Sequence, residues 1–183
     1  VIDQCILLAL CLNIHNTQPS HGLTSEQMSA FVERVIQHPL NWSVHTMSLL
    51  LRSRLEASRT RTVERSTLQL QALIDQMPTN DSSVRERLRF FHALELPAKW
   101  AMQSELAHRY VSIGVLRSAL ETFERVEMWE NVVQCLGLLG RQQEGIEVVR
   151  DLLEGRKTEA EAQLQAKRIA TSVSRVPHTR FAR

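Results

Sequence analysis

Residues 97–154 contain an internal repeat, and no other feature constrains the fold of this chain as strongly. Setting Gly114 over Gly140, 26 residues later, aligns Leu106 with Val132, Ala107 with Val133 and Tyr110 with Leu136. The same offset aligns Ala119 with Gly145, Leu120 with Ile146, Phe123 with Val149 and Val126 with Leu152. Each unit reads large–small–large, a glycine, then small–large–large. The spacing on either side of the glycine is helical, so each unit is expected to be two antiparallel helices. A small residue on each helix lets the two touch closely, and the glycine supplies a turn in which positive φ is cheap. Such hairpins cannot bury their apolar faces alone and must stack.

The rest of the chain is consistent with this. It has 183 residues with only 6 Gly, 5 Pro and 1 Tyr, and straight-chain helix formers are plentiful, which argues against an all-β fold. The prolines fall where helices should begin or end. Val1–Asn16 reads as an apolar helix before Pro19. Thr24-Ser25-Glu26 then offers a cap ahead of Met28, Phe31, Val32, Val35 and Ile36, stopped at Pro39. A third helix carries Trp42, Val44, Met47, Leu50, Leu51 and Leu55, and a fourth carries Val63, Leu68, Leu70, Leu73, Ile74 and Met77. Pro78 and Asn80-Asp81-Ser82 introduce a fifth, over residues 83–95. The expected fold is all-α: an α-solenoid of antiparallel helix pairs, with five helices in residues 1–96 and two tetratricopeptide-like hairpins in 97–154. The period of 26 is shorter than the ~34 residues of a standard tetratricopeptide unit, so shorter α-hairpin repeats fit as well. Residues 155–183 have no sustained periodic face, and a marginal helix running into disorder is expected there.

Charge divides the chain differently from its total of +2. Residues 155–183 hold seven Lys/Arg against Glu159 and Glu161, which leaves residues 1–154 at a net of −3. A nucleic-acid-binding domain should instead have a basic body. Cys5, Cys11 and Cys135 are odd in number, lie in apolar helical surroundings and favour a reducing compartment. The longest apolar run, Cys5 to Leu12, is far short of the ~20 residues that cross a bilayer, so no membrane insertion is expected. The chain opens within an apolar helix and without Met, and it stops where an apolar flank would need further repeats. It therefore reads as a fragment.

Several stretches carry a family resemblance. Leu49-Leu50-Leu51-Arg52-Ser53-Arg54-Leu55-Glu56, Val63-Glu64-Arg65, Leu70-Gln71-Ala72-Leu73, Arg85-Glu86-Arg87-Leu88 and Pro97-Ala98-Lys99-Trp100 are among them. The most specific is Ser118-Ala119-Leu120-Glu121-Thr122-Phe123-Glu124-Arg125-Val126-Glu127-Met128-Trp129-Glu130. Over residues 24–154 the chain resembles the tetratricopeptide repeat protein 27 family. The resemblance implies a segment from the middle of a longer α-solenoid: an intracellular, non-enzymatic adaptor, cytoplasmic and nuclear, without cofactors. The family includes a fungal branch named for cell-wall maintenance and is linked to chaperone-assisted assembly of large complexes. Partners would then be other proteins, among them chaperone or assembly-complex components. The segment after Glu154 departs from the pattern, with no third repeat.

The residues themselves encode no catalytic constellation. No GxSxG, P-loop, GxGxxG, CxxC or HxxxH motif occurs, and the seven histidines have no ligand-spaced partners. His38 and His45 straddle Pro39, while His92 and His108 belong to different helices. Arg52, Arg54, Arg59, Arg61 and Arg65, then Arg85, Arg87 and Arg89, form basic runs. Interleaved Glu56, Glu64 and Glu86 and the lack of aromatics favour a solvated, salt-bridged face over RNA binding. Glu121, Glu124, Glu127 and Glu130 recur every three residues and read as a wet surface, with an acidic docking strip as the alternative. Trp42, Trp100 and Trp129 are expected to be packing anchors.

For a repeat scaffold, the inner surface comes from the first helix of each hairpin. In this register it presents Ala101, Ser104, Glu105, His108 and Ser112, then Glu127, Glu130, Asn131 and Gln134. Only Asn131 suits a carboxylate clamp, and Glu105 would repel a carboxylate. The candidate protein-binding groove is Glu105, His108, Asn131 and Gln134, with Leu106, Ala107, Tyr110, Val132, Val133 and Leu136 turned to the core. A coat-type structural solenoid and an RNA-binding helical array are the alternatives to the adaptor.

Overall fold

The computed structural model describes residues 1–19, 22–94 and 96–157. The expected tail from residue 158 lies outside the described residues. Among these residues the structure is all-helical, in the order α1 (Ile2–Thr17), α2 (Gly22–Ile36), α3 (Trp42–Ala57), α4 (Val63–Gln76), α5 (Val84–Leu88), α6 (Lys99–Ser112), α7 (Leu116–Val126), α8 (Trp129–Leu138) and α9 (Gln142–Leu153). Two compact units follow from the contacts, one over Val1–Ile113 and one from Gly114 onward.

In the first unit each long helix packs on the next: α1 on α2, α2 on α3, α3 on α4 and α4 on α6. One continuous core results, with Leu8, Cys11, Val32, Val35, Val44, Met47, Leu50, Leu70 and Met102 essentially removed from solvent. The start of α3 is fixed by Asn41, whose Oδ1 accepts from the backbone N–H of Ser43 (3.1 Å) and Val44 (3.3 Å). That satisfies two of the donors that a helix N-terminus leaves orphaned. Ser83 does the same for α5 by accepting from the Glu86 N–H at 3.2 Å.

Four expectations for this unit are corrected. α2 is already helical at Gly22, and Thr24 is buried on the face that continues through Met28, Val32 and Val35, so burial rather than capping uses it. Leu68 is exposed, because it sits two residues from Leu70 and therefore roughly 200° round the helix. Ser66 and Thr67 occupy the buried arc beside Leu70 and Ile74 instead. α5 stops at Leu88, and turns closed by Phe91 N–H to Leu88 O (3.3 Å) and Ala93 N–H to Phe90 O (2.9 Å) carry Leu94 into the core. Trp100 is 53% exposed on the first turn of α6 and is not the buried packing anchor expected. Trp42 is half-buried, and its ring carries the Arg87 guanidinium 4.1 Å from its centroid. Arg87 also donates to Met77 O (2.7 Å) and to Thr79 O, which ties the end of α4 to the start of α3.

In the second unit α7 packs on α8 and α8 on α9. Ala119, Leu120, Phe123, Val126, Val132, Cys135 and Leu136 form its buried apolar set, with Thr122 and Gly145 also buried. Gly145, opposite Ala119 in the repeat, faces α8 closely: a Cβ there would meet Leu136 Cβ and Val133 Cγ1 at 3.8 Å each. All three helices end in a left-handed residue, at Glu127 (φ 61°), Gly140 (φ 74°) and Gly155 (φ 72°). After each, the chain closes a Schellman pair, such as Arg141 N–H to Leu136 O (2.9 Å) with Gly140 N–H to Gly137 O (3.1 Å). Gly114 is also left-handed, at φ 80°. Both glycines that align the repeat therefore have the backbone the alignment required.

The two repeats differ in what they bury. Phe123 is 1% exposed, whereas its counterpart Val149 is 41% and Ile146 is 51% exposed. α9 meets α8 on one side, and its Ile146, Val149 and Leu153 stripe faces outward among the described residues.

Candidate functional site

The four groove residues are divided between the two units, Glu105 and His108 on α6 of the first and Asn131 and Gln134 on α8 of the second. On α6, Leu106 and Ala107 are buried as expected, and half-buried Tyr110 donates from its hydroxyl to Gln71 Oε1 at 2.9 Å. His108 is exposed, and its Nδ1–H donates to Ser104 O at 2.8 Å, which holds the ring along its own helix.

Glu105 is engaged within the fold. Its carboxylate accepts from Arg54 Nη2 (2.8 Å) and Nε (3.1 Å) on α3, and from Arg109 Nη2 (2.6 Å) one turn along α6. The side chain is 26% exposed. Burial opposes its ionisation, but the hydrogen bonds and charges of Arg54 and Arg109 outweigh burial and hold the carboxyl below the usual range. Arg109 is itself buried, and its Nη1 donates to Ser53 Oγ at 2.6 Å, while that hydroxyl donates to Ser66 O at 3.0 Å. Glu105 and Arg109 thus join α3, α4 and α6 through one polar network. Its i, i+4 half is legible as Glu105…Arg109; the Arg54 half, 51 residues away, has no local signal.

Half of the arginines in the basic runs are committed in the same way. Arg52 (2.9 Å) and Arg65 (3.0 Å) both donate to Glu56 Oε1, the first as an i, i+4 pair on α3. With Arg54 on Glu105 and Arg87 on the α4 carbonyls, four of the eight arginines serve the fold.

On α8, Val132, Cys135 and Leu136 are buried and Val133 is half-buried, so the core face follows the repeat register. The opposite face exposes Glu130, Gln134 and Leu138, with Asn131 half-buried beside them. Leu138, 64% exposed, continues the i, i+4 line of Glu130 and Gln134 and belongs to the surface although the polar pattern passed over it. The four glutamates do not share one helix side: Glu121 and Glu124 are on α7, the chain reverses at left-handed Glu127, and Glu130 is on α8. Trp129, half-buried at the first turn of α8, carries the Lys157 ammonium 4.7 Å from its ring centroid. Burial raises the pKa of all three cysteine thiols, Cys11 to about 11, which keeps them protonated and unreactive. Among the described residues no group of His, Cys, Asp or Glu is placed to hold a metal ion, and no helix is long and apolar enough to cross a membrane.

Comparison with known proteins bears on what such a surface is for. The chain is 42% identical, over 84% of its length, to a TPR repeat-containing protein of Schizosaccharomyces pombe. It is 39% identical, again over 84% of its length, to a tetratricopeptide repeat protein 27 homolog of Dictyostelium discoideum. The chain is homologous to the tetratricopeptide repeat protein 27 family. The relationship extends at 28% identity over 87% of the chain to the Saccharomyces cerevisiae protein named as essential for maintenance of the cell wall. The chain spans about a fifth of the length of these relatives, covering 22%, 18% and 19% of them respectively. No family model matches it, and no solved structure does. The homology and the succession of helices agree on a helical-repeat fold of tetratricopeptide type.

Proposed function

We propose that this segment is part of a non-enzymatic scaffold that binds protein partners through the exposed faces of its first-in-pair helices. The observation that carries the reading is the division of α8: a buried Val132/Cys135/Leu136 side and an outward Glu130/Gln134/Leu138 side, in a chain homologous to tetratricopeptide proteins. A mixed polar and apolar helix face suits a protein partner, since interfaces combine apolar contact with hydrogen bonds. Asn131 and Gln134 offer amide donors and acceptors, and His108 gives the α6 face its polar ring. Glu105 acts there by fixing α6 against α3 rather than by touching the partner. The RNA reading is weakened because Arg52, Arg54, Arg65 and Arg87 already have intramolecular partners. Participation in chaperone-linked assembly of complexes, in the cytoplasm or nucleus, is the finer form of the proposal and rests on the family resemblance.

The test is capture of partners by the full-length protein, read by mass spectrometry. His108→Ala and Gln134→Ala together should leave thermal unfolding nearly unchanged, because both residues are exposed and exposed substitutions usually move stability by less than about 0.5 kcal/mol. Partner recovery should fall. Wild-type recovery of every partner would show that these faces are not the binding surface.

A further inference from the structure

α5 and the turn after it carry two parallel lines of exposed side chains that the fold does not use. We infer that this face docks an acidic amphipathic peptide from a protein partner, at a surface separate from the exposed faces of α6 and α8.

The inward side of α5 is occupied by the start of α3. Asn41 Nδ2 donates to Glu86 O at 3.2 Å, the Trp42 N–H donates to Glu86 Oε1 at 3.4 Å, and the Ser43 hydroxyl donates to Arg87 O. With about 100° between successive helical residues, Val84 and Leu88 stand on the side of α5 opposite Glu86. Both are exposed, and they form one i, i+4 line. Exposed Phe91 extends that line by a turn, its N–H donating to Leu88 O at 3.3 Å. Arg85 and Arg89 form a second i, i+4 line beside the first, and both are exposed.

Charge indicates what this face accepts. Arg87 donates to Met77 O and Thr79 O, whereas no ion pair among the described residues involves Arg85 or Arg89. The Arg89 guanidinium lies 5.4 Å from the Phe90 ring centroid, a contact that holds it at the surface without neutralising it. Glu86 is the sole acidic residue in 82–94, and its carboxylate is turned to the Trp42 N–H. A basic line beside an apolar line complements a peptide helix with carboxylates along one line and apolar side chains along the next.

Shape gives the apolar anchor a place. A cleft of about 710 Å³ opens on this face, lined by Ser83, Arg85, Glu86, Leu88 and Arg89. A leucine or phenylalanine of the peptide can enter beside Leu88 while a carboxylate meets Arg85 or Arg89 at the rim. Such a concavity suits an inserted side chain better than it suits a bilayer. RNA is the poorer match as well, because residues 1–154 carry a net charge of −3 and aliphatic Val84 and Leu88 offer no ring for a base to stack on.

Phage display of random peptides on the full 183-residue chain tests this, with synthetic copies of the selected peptides titrated by fluorescence anisotropy. The selected peptides should be net acidic, with apolar residues about three or four positions apart. Arg85→Glu with Arg89→Glu should weaken a selected peptide about tenfold at low salt, and about 0.5 M salt should weaken its binding to wild type. The same peptide with lysine in place of its carboxylates should prefer that variant over wild type. Leu88→Ser with Phe91→Ser should also weaken the original peptide about tenfold. Thermal unfolding of both variants should match wild type, because all four side chains are exposed. Absence of any enriched peptide, or enrichment without acidic bias, overturns the proposal. So does equal binding of the selected peptides to wild type and to the Arg85→Glu, Arg89→Glu chain. Tighter binding of polyuridylate RNA or phosphatidylserine vesicles, lost in the same variants, would reassign the face to those ligands. None of these results bears on His108 and Gln134, which the capture experiment judges separately.

Discussion

Single residues in this chain matter in proportion to what would be left unpaired without them. Arg109 is the clearest case, since it serves Glu105 and Ser53 from a buried position. Arg109→Met should therefore cost about 3 kcal/mol in urea unfolding, the low end for breaking a buried pair, because Arg54 still neutralises Glu105. Arg61→Ala, in the exposed turn after α3, should stay within about 0.5 kcal/mol. Titration gives a second residue-scale prediction. Burial lowers the pKa of His45, so the unfolded chain binds a proton near the ordinary 6.5 that the folded one refuses. Stability should then fall as pH drops below 6.5, and His45→Gln should flatten that decline. Glu105 acts in a lower window. Its depressed carboxyl stabilises the fold above the ordinary 4.5, and that contribution is lost as pH falls through the folded value. Urea midpoints measured against pH should show both declines, the second reduced in Glu105→Gln.

At the scale of the helix, ends decide more than interiors. α7 and α8 close with the same hydrogen-bond pattern, yet one uses Glu127 and the other Gly140 at the left-handed position. A residue with a Cβ costs roughly 1 kcal/mol there relative to glycine. Glu127→Gly should raise the thermal midpoint, and Gly140→Ala should lower it by a comparable free energy, about 1 kcal/mol each. Circular dichroism melts of both variants provide the check. If Glu127→Gly were destabilising, its carboxylate would have to be doing more than the turn requires. The early end of α5 obeys the same logic: the helix stops where turns allow Leu94 to be buried, although Arg-Phe-Phe-His-Ala could have continued it.

On the scale of the molecule, equivalent repeat positions carry unequal weight. Phe123 is 1% exposed on α7, which packs on α8, and Phe123→Ala should cost about 3–5 kcal/mol. Its repeat mate Val149, together with Ile146, lies on the outer side of α9, so Ile146→Ser with Val149→Ser should cost under about 1 kcal/mol in the same chain. Denaturant unfolding followed by Trp129 fluorescence would separate the two. A large loss in the double variant would mean that the α9 stripe is covered in solution. Trp100 follows the same rule: at 53% exposure, Trp100→Ala should come far closer to the α9 variant than to Phe123→Ala.

Local pattern was enough to specify the all-α class and the two left-handed glycines that align the repeat, because helical spacing, proline positions and a repeated glycine act within a few residues of one another. It also separated the buried Val132, Cys135 and Leu136 from the exposed Glu130 and Gln134 on α8. Only tertiary structure determined that Glu105 pairs with Arg54 as well as with Arg109, since that second arginine arrives from another helix. Packing likewise determined that Trp100 is exposed, that Thr24 is buried and that Arg87 clamps α4 to α3. A sequence states which residues can face inward on one helix; which of them do depends on where the neighbouring helices come to rest, and that information is carried by residues tens of positions away.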